Sequence, residues 1–422
     1  MQPTSEQQRI QSLDVLRGFA LLGILLLNIV GFGMLSNTYS NPGIGIASSA
    51  DTAVWAGIEL FAEGAMRALF SILFGAGVVL FVTGDNAKGG ALHYKRNFWL
   101  LVFGLFDMFV LLWIGDILIV YALAGFLLFL VRHTSARRLL IAAGVLLILI
   151  SLMHGAMHVG LSAGRDAAIE MASMDDPATV PEGLRGAAAS YEEFAGGFDQ
   201  TEAEVAEELA IRRGPYTGAF SWNMDNGIET LLFVVPVFLF WDALVMMLIG
   251  MALFKQGVLQ GQQSTRFYIR MSLIGFAVGL LFNGYEVNKA ITNEFELLSV
   301  FAQVQWTYHF GRLGVALGWL GLIILVLHKG LLVGLAQRLA AVGRMALTNY
   351  LMHSVICLLV FTGLGLGLVG TLTRVQLYLV VLAIWLFQLW LSPWWLARYR
   401  FGPVEWIWRW LTYGHAPVNK RA

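Results

Sequence analysis

The chain of 422 residues is 58% hydrophobic and 13% charged, and its mean hydropathy is +0.71. Soluble domains carry about a quarter charged residues, so this composition excludes an ordinary soluble protein and predicts a lipid bilayer as its environment. The formal net charge is zero, which argues against nucleic-acid binding. A single cysteine, Cys357, excludes an intrachain disulfide framework and any multi-cysteine metal site. No metal site is predicted.

Apolar stretches of roughly 20 residues are long enough to cross a bilayer as helices. They predict an all-α, polytopic membrane protein of about ten transmembrane helices, at about 15–35, 64–83, 97–114, 117–132, 138–160, 229–254, 268–285, 310–328, 346–367 and 376–397. A tight turn at residues 114–116 joins the third span to the fourth, which predicts an antiparallel helical hairpin. Glycines at 74–77 favour close helix packing.

The distribution of lysine and arginine predicts the orientation, because cationic loops resist translocation. With a cytoplasmic N-terminus, 19 of the 27 basic residues fall inside and 8 outside. Both termini are therefore predicted to be cytoplasmic. The chain then divides into an N-terminal membrane half at 1–160, an acidic extracytoplasmic loop or cap at 161–227, and a C-terminal membrane half at 228–422.

The acidic segment contains one clear local signal. Thr201 and Glu204 have the spacing of a capping box, so a short helix is predicted from there to about Arg213. Two interpretations of the whole segment stay open. It forms a cap on the outer face of the membrane domain, or it is a partly disordered loop.

Polar residues inside the first span are candidate functional residues, because a charged side chain at mid-bilayer costs at least about 2.5–3.5 kcal/mol. Asp14, Arg17 and Asn28 share one helix face, since Arg17 and Asn28 lie just over three turns apart. Asp14 and Arg17 have the spacing of an i,i+3 ion pair.

The other candidates fall into two strata by depth. The outer stratum contains Glu59, Glu63, Arg67, Asp107, Asp116, Glu286, His309 and Arg312. The inner stratum contains Asp14, Arg17, Arg344, Asn349 and His353. We expect these residues to face a shared protein interior and to mark a route between the two sides.

Structural roles stay open for the same residues. Helix-end snorkelling or capping is the alternative for Arg67, Glu286 and Arg312, and interhelical hydrogen bonding is the alternative for Asp107 and Asn28. His353 is equally well a satisfied core histidine. His154 and His158 are interpreted as ordinary residues near a helix end.

Several sequence blocks carry a family resemblance. They are Ser12-Leu-Asp-Val-Leu-Arg-Gly18 with its continuation to 23, Asn28, the segments 69–77, 115–122 and 343–350, then Trp385, Gln388, and the short pieces 402–403, 405–406 and 411–414. Together they resemble the YeiB-like family of bacterial inner-membrane proteins, a domain of unknown function. The resemblance implies a multi-pass protein of the bacterial cytoplasmic membrane.

The Asp14-Val-Leu-Arg-Gly18 pattern is also similar to that of transmembrane acyltransferases, whose O-acylating members tend to carry a histidine where this chain has Asn28. That similarity implies transfer of an acyl group from a cytoplasmic donor, for which acyl-CoA is the candidate, to an extracytoplasmic small-molecule acceptor. No cofactor is assigned. Two alternatives stay open: a transporter of a small organic solute, and a non-catalytic envelope accessory protein.

The acyltransferase hypothesis assigns roles to the polar residues. The candidate catalytic residues are His309, Asp107, Asn28 and His353, with His309 or Asp107 as the base and Asn28 as an oxyanion donor. The candidate substrate-binding residues are Asp14, Arg17, Glu63, Arg67, Asp116, Arg312, Arg344 and Asn349. Among these, Arg17 and Arg344 are expected to attract the donor's phosphates.

Overall fold

The computed structural model describes residues 10–83, 89–174, 181–198, 200–301 and 304–421. Throughout these ranges the chain is helical apart from turns, loops and one isolated β-bridge, so the all-α prediction is confirmed. The first nine helices are α1 Gln11–Gly33, α2 Ser49–Phe61, α3 Ala65–Val82, α4 Gly90–Phe109, α5 Leu118–Leu128, α6 Ala136–Ala172, α7 Glu182–Gly196, α8 Glu202–Arg212 and α9 Tyr216–Glu229.

A π-helical segment, Thr230–Leu239, joins α9 directly to the next helix. The remaining helices are α10 Phe240–Lys255, α11 Thr265–Thr292, α12 Leu297–Val300, α13 Tyr308–His328, α14 Val333–Arg344, α15 Ala346–Phe361, α16 Arg374–Leu396 and α17 Pro403–Tyr413. The helix predicted from the Thr201 capping box is confirmed as α8, and both hydrogen bonds of the box are present.

Each of the ten predicted spans coincides with a helix, but fewer helices are long and apolar enough to cross a bilayer. In the described part of the chain, seven are, or eight if α14 and α15, which meet at 82°, count as one span. These helices confirm the prediction of a multi-pass membrane protein. Of the basic residues behind the predicted orientation, Arg9 and Lys88 lie outside the described residues.

The hairpin between α4 and α5 explains part of the difference. Helix α5 has only 11 residues, about 16 Å of rise against a hydrocarbon core of about 30 Å. Residues 110–117 between the two helices are irregular, and Leu112 has a φ of 59°, in the left-handed region that leucine rarely adopts. The tip of this hairpin is therefore a folded loop and not a simple turn.

Glycines allow the central helices to approach until their backbones touch. The Cβ position of Gly75 on α3 meets the carbonyl of Met247 on α10, and that of Gly250 on α10 meets the carbonyl of Ile72. Helices α11 and α13 pack through Gly275 and Gly314 in the same way. The close packing expected at 74–77 is confirmed at Gly75, as is usual where membrane helices associate without a hydrophobic driving force.

The outward faces of several long helices are apolar. On α6, α11 and α16 the most exposed large side chains include Leu152, Leu273, Leu281, Leu379 and Leu386, each 60–70% exposed. Such contiguous apolar surface is stable only against lipid or protein. The exposed faces of these three helices therefore suit contact with the lipid of a bilayer.

The acidic segment is ordered where it contacts the end of α1. Arg212 on α8 donates to the carbonyls of Gly31, Phe32 and Met34 at 2.7–3.1 Å. It also pairs with Glu208 at 2.8 Å. A helix end leaves its last carbonyls without partners, and this guanidinium supplies them with donors. Helix α8 is thereby fastened to the end of α1.

Replacement of Arg212 by alanine is expected to lower the free energy of unfolding by about 3–5 kcal/mol, because it leaves the buried Glu208 carboxylate without its cation. Arg213→Ala, which removes donors only from the Val369 carbonyl, is the matched control, with an expected loss of about 1 kcal/mol. Unfolding in mixed detergent micelles measures both. Equal losses for the two variants would contradict the role given to Arg212.

Gly75→Ala is expected to destabilise the protein by about 1–3 kcal/mol through overpacking against the α10 backbone. Gly77→Ala lies two residues away on the same helix and meets no atom within 4 Å. It is expected to be neutral or stabilising by up to about 1 kcal/mol. The difference between the two midpoints of thermal unfolding tests the contact, and a stable Gly75→Ala variant would refute it.

Candidate functional site

The described residues enclose a cavity, termed the main cavity, with a volume of about 460 Å³, within the range of small-molecule sites. Its walls come from the second half of α1, the hairpin tip, α9 and the π-helical segment. Most of the lining is apolar. Its polar side chains include Asn28, Tyr39, Arg67, Asn223, Asn226 and Glu229.

Irregular backbone builds two of these walls. Residues 111–115 of the hairpin tip line the cavity, as do Thr230, Val234 and Leu239 of the π-helical segment. Pro236 lies inside that segment and cannot donate a backbone hydrogen bond. Non-helical or widened backbone at this depth is tolerated where protein or a water-filled cavity surrounds it, and wide turns of this kind are frequent at functional sites.

Arg67 connects the cavity to a buried polar network. Its guanidinium donates to the Tyr308 hydroxyl at 3.1 Å, and Tyr308 donates to Glu63 at 3.0 Å. The Tyr39 hydroxyl donates to the two oxygens of Glu63 at 3.1 and 3.2 Å. Tyr39 lines both the main cavity and an adjacent small cavity of about 40 Å³, which Glu63 also lines.

Asp242 is the centre of the network. It accepts from Arg312 at 2.5 Å, lies 3.4 Å from Nδ1 of His309, and lies 3.8 Å from Nε of Arg67. Asp242 is 4% exposed and Arg312 is 1% exposed. The guanidinium of Arg312 also lies 3.9 Å from the centre of the Tyr308 ring. Two cations thus flank the Asp242 carboxylate, and Glu63, linked to Arg67 through Tyr308, is the second carboxyl of the network that offsets their charge.

The two histidines of this region are in contact. Nε2 of His309 lies 3.2 Å from Nδ1 of His154, and Nδ1 of His309 meets Arg312 at short range. His154 is 1% exposed and lies in the middle of α6. The interpretation of His154 as an ordinary residue near a helix end is therefore wrong.

Sequence reasoning also missed Asp242, Tyr308 and Tyr39. Asp242 carried a usable signal, because it is a carboxylate in the middle of the predicted span 229–254. The two tyrosines carried none, since tyrosine is common near the ends of membrane helices. Their importance comes from what they contact and not from their residue type.

The expected convergence of the site residues on one interior is wrong for most of them. Asn28 and Arg67 line the main cavity, and Glu63, His309 and Arg312 lie in the network behind Arg67. Glu59 lines the small cavity together with Glu63, and Glu286 accepts a hydrogen bond from Thr307. The remaining candidates are distributed over three further clusters and do not line the main cavity. Hydropathy gives the depth of a residue but not the helix that it faces.

The first of these clusters is at the start of α1, where Asp14 and Arg17 form the expected i,i+3 pair at 3.0 Å. Helix α14, which ends at Arg344, packs on α1 there. The second is between α15 and α16. Nε2 of His353 bonds Gln388 at 2.9 Å, and Asn349 donates to Ser392 at 3.0 Å. Nδ1 of His353 has no hydrogen-bond partner among the described residues, so the alternative of a satisfied core histidine holds for only one of its ring nitrogens.

The third cluster is at the hairpin. Asp116 accepts from the backbone N–H of Ile119 at 2.9 Å and from the Tyr350 hydroxyl at 3.4 Å, and Asp107 lies beside it.

Within the described residues, no group of three or more His, Cys, Asp and Glu side chains is placed to hold a metal ion.

Comparisons with known proteins agree with the sequence blocks. Residues 253–415 match the family described as "Protein of unknown function (DUF418)". The uncharacterized protein YeiB of Escherichia coli (strain K12) is 30% identical, with 96% of each chain covered. The uncharacterized protein YxaH of Bacillus subtilis (strain 168) is 30% identical, with 100% of this chain and 98% of the relative covered. No solved structure matches. The chain therefore belongs to the DUF418 family, as the YeiB-like resemblance predicted.

Proposed function

We propose that this protein is a membrane acyltransferase that binds a small hydroxyl- or amine-bearing acceptor in the main cavity and acylates it from an acyl thioester such as acyl-CoA. The observation that carries the proposal is the Tyr39–Glu63 pair on the same cavity as Asn28 and Arg67. Acyl transfer requires a base and oxyanion donors around one carbonyl carbon. This arrangement offers both.

The base of the reaction is Glu63, acting through Tyr39. As the acceptor attacks the thioester carbonyl, Tyr39 takes the acceptor's proton and passes its own to Glu63. The tetrahedral intermediate then collapses, the thiolate leaves, and the proton returns to it through the same pair. His309 is a poorer base because Asp242, Arg312 and His154 already engage its two ring nitrogens.

The amide of Asn28 and the guanidinium of Arg67 stabilise the oxyanion. Both line the cavity, and Arg67 is held from behind by Tyr308 and Asp242. Donors fixed before the reaction stabilise developing charge without reorganisation, which is usually the largest catalytic contribution. The network behind Arg67 therefore serves to position it.

The donor is assigned to the opposite end of α1. The basic residues there, Arg17 and Arg344, suit the phosphates of an acyl-CoA. We propose that this end, together with both termini, faces the cytoplasm of a bacterial inner membrane, and that the segment 161–227 is the extracytoplasmic cap between the membrane halves 1–160 and 228–422. Asn28 lies about 16 Å above Arg17 along the helix, a distance that the extended arm of the donor has to cover.

Tyr39→Phe is expected to lower acyl transfer by about 10²-fold or more, because it removes one hydroxyl and keeps the ring. The measurement is transfer of label from radiolabelled acetyl-CoA to lipids and sugars of a membrane extract by the protein in detergent. Tyr216→Phe is the matched control, since its hydroxyl donates only to the Val110 carbonyl, and it is expected to retain activity.

Asn28→Ala is expected to lower the rate by about 10²–10³-fold with little change in stability, because Asn28 is not needed for any described interhelical bond. Two results would count against the enzyme: no transfer or hydrolysis by the wild-type protein, or equal activity of the Tyr39→Phe and Tyr216→Phe variants.

A second candidate function is transport of a small organic anion. The π-helical segment in the cavity wall and the 82° break between α14 and α15 favour it, because interrupted helices form substrate sites in many transporters. Uptake of radiolabelled lactate, pyruvate and succinate into proteoliposomes is the test. Uptake that Arg67→Gln abolishes, without any label transfer from acetyl-CoA, would replace the acyltransferase proposal.

A further inference from the structure

Two buried carboxyl groups lie side by side at the hairpin between α4 and α5. Asp107 is near the end of α4 and Asp116 precedes α5, and they are 0% and 1% exposed. The Asp116 oxygens are engaged, one by the N–H of Ile119 at the start of α5 and the other by the Tyr350 hydroxyl of α15. Asp116 thus acts as a cap that organises the hairpin.

Asp107 has no such partners. It lies beside Asp116 and Ser354, but neither of its oxygens meets a donor at hydrogen-bonding geometry among the described residues. No lysine, arginine or histidine in the described chain lies within ion-pair distance of either carboxyl. The contrast with Asp242, which two arginines flank, is sharp.

Two buried carboxylates in contact are unstable when no cation offsets their charge. Each carries a desolvation cost of several kcal/mol, and two like charges in contact raise it further. The groups that face the pair are the Ser354 and Tyr350 hydroxyls of α15 and the N–H of Ile119. All are neutral, so a cation that relieves the repulsion has to come from outside the chain. One monovalent cation offsets one of the two charges, and the Ile119 N–H and the Tyr350 hydroxyl stabilise the charge that remains on Asp116.

We propose that Asp107 and Asp116 form a binding site for one small monovalent cation, a proton or Na⁺. The free oxygens of Asp107, the Tyr350-bonded oxygen of Asp116 and the Ser354 hydroxyl are the ligands. Oxygen-only donor sets suit such hard cations. The site joins α4, α5 and α15, and residues 113–115 and 117 beside it line the main cavity, so the cation fixes one cavity wall. Cation binding at this site is independent of acyl transfer.

The test uses the full chain in lipid nanodiscs and has two arms. The first compares the midpoint of thermal unfolding in NaCl with that in equal choline chloride or KCl. The second records infrared spectra of protein labelled with ¹³C at the aspartate side-chain carboxyls, which separates protonated aspartate bands from those of glutamate. Asp107→Asn is the principal variant, and it is expected to fold because an amide is neutral and nearly isosteric with a protonated carboxyl. Asp225→Asn, an exposed carboxyl on α9, is the matched control.

A sodium site is supported if the midpoint of thermal unfolding rises by several degrees in NaCl alone, and if this rise is lost in Asp107→Asn and kept in Asp225→Asn. No sodium effect but a protonated aspartate band at neutral pH, absent in Asp107→Asn and present in the control, supports a proton site. The absence of both signals in the wild-type protein would overturn the proposal. A signal that persists in Asp107→Asn would overturn it as well. If Asp107→Asn does not fold, Asp116→Asn replaces it, because it removes the same pair.

Discussion

The packing of this protein depends on the need to compensate buried charge inside an apolar bundle. Asp242 on α10, Arg67 on α3 and Arg312 on α13 supply charges to one cluster from three different helices. Removing Asp242 would leave two buried guanidiniums without the carboxylate that they share, and that penalty is several kcal/mol in a low-dielectric interior. The cluster therefore fixes how these helices meet, and it also holds Arg67 at the edge of the main cavity.

Irregular backbone has a comparable role in forming the cavity. A bundle of straight, complete spans packs its interior closely. Here α5 is too short to cross, the hairpin tip folds back with Leu112 in a left-handed conformation, and the π segment widens the long helix that runs through α9 and α10. Each departure leaves space on the same side of the bundle, where the polar side chains of Asn28, Tyr39 and Arg67 gather.

Much of this could be predicted from the amino-acid sequence, for reasons of solvation. Hydropathy located a helix at each of the ten predicted spans, and the capping box at Thr201 located α8. The cost of burying charge identified Arg67, Glu63, His309 and Arg312, which do lie in one network. The same rule should have identified Asp242. It could not show that His353 and Asn349 bond to α16 instead, because which helices are neighbours is decided by packing between distant segments, such as the glycine contact of Gly75 with α10.

The length of a predicted span was the least reliable quantity, also for a physical reason. Apolar residues at 110–117 continue the hydropathy signal of a helix, although the backbone there is held open by interactions with Tyr350 and Asp116. A sliding average does not distinguish an apolar loop from an apolar helix when both are buried. The widened helix at Pro236 is hidden from the sequence pattern in the same way.

The guanidinium of Arg212 both completes the last turn of α1 and lines the main cavity, where Phe198 and Gly197 also lie. The conformation of the end of α1 is therefore energetically coupled to that of the segment 197–212, which covers the cavity. A ligand that moves the end of α1 inward would weaken the contact of α1 with the segment 197–212. A partner that displaces this segment would destabilise the last turn of α1 by the same free energy, because such coupling is reciprocal. A ligand that enters the cavity past Arg212 therefore changes the stability of α1, the helix that carries Asn28.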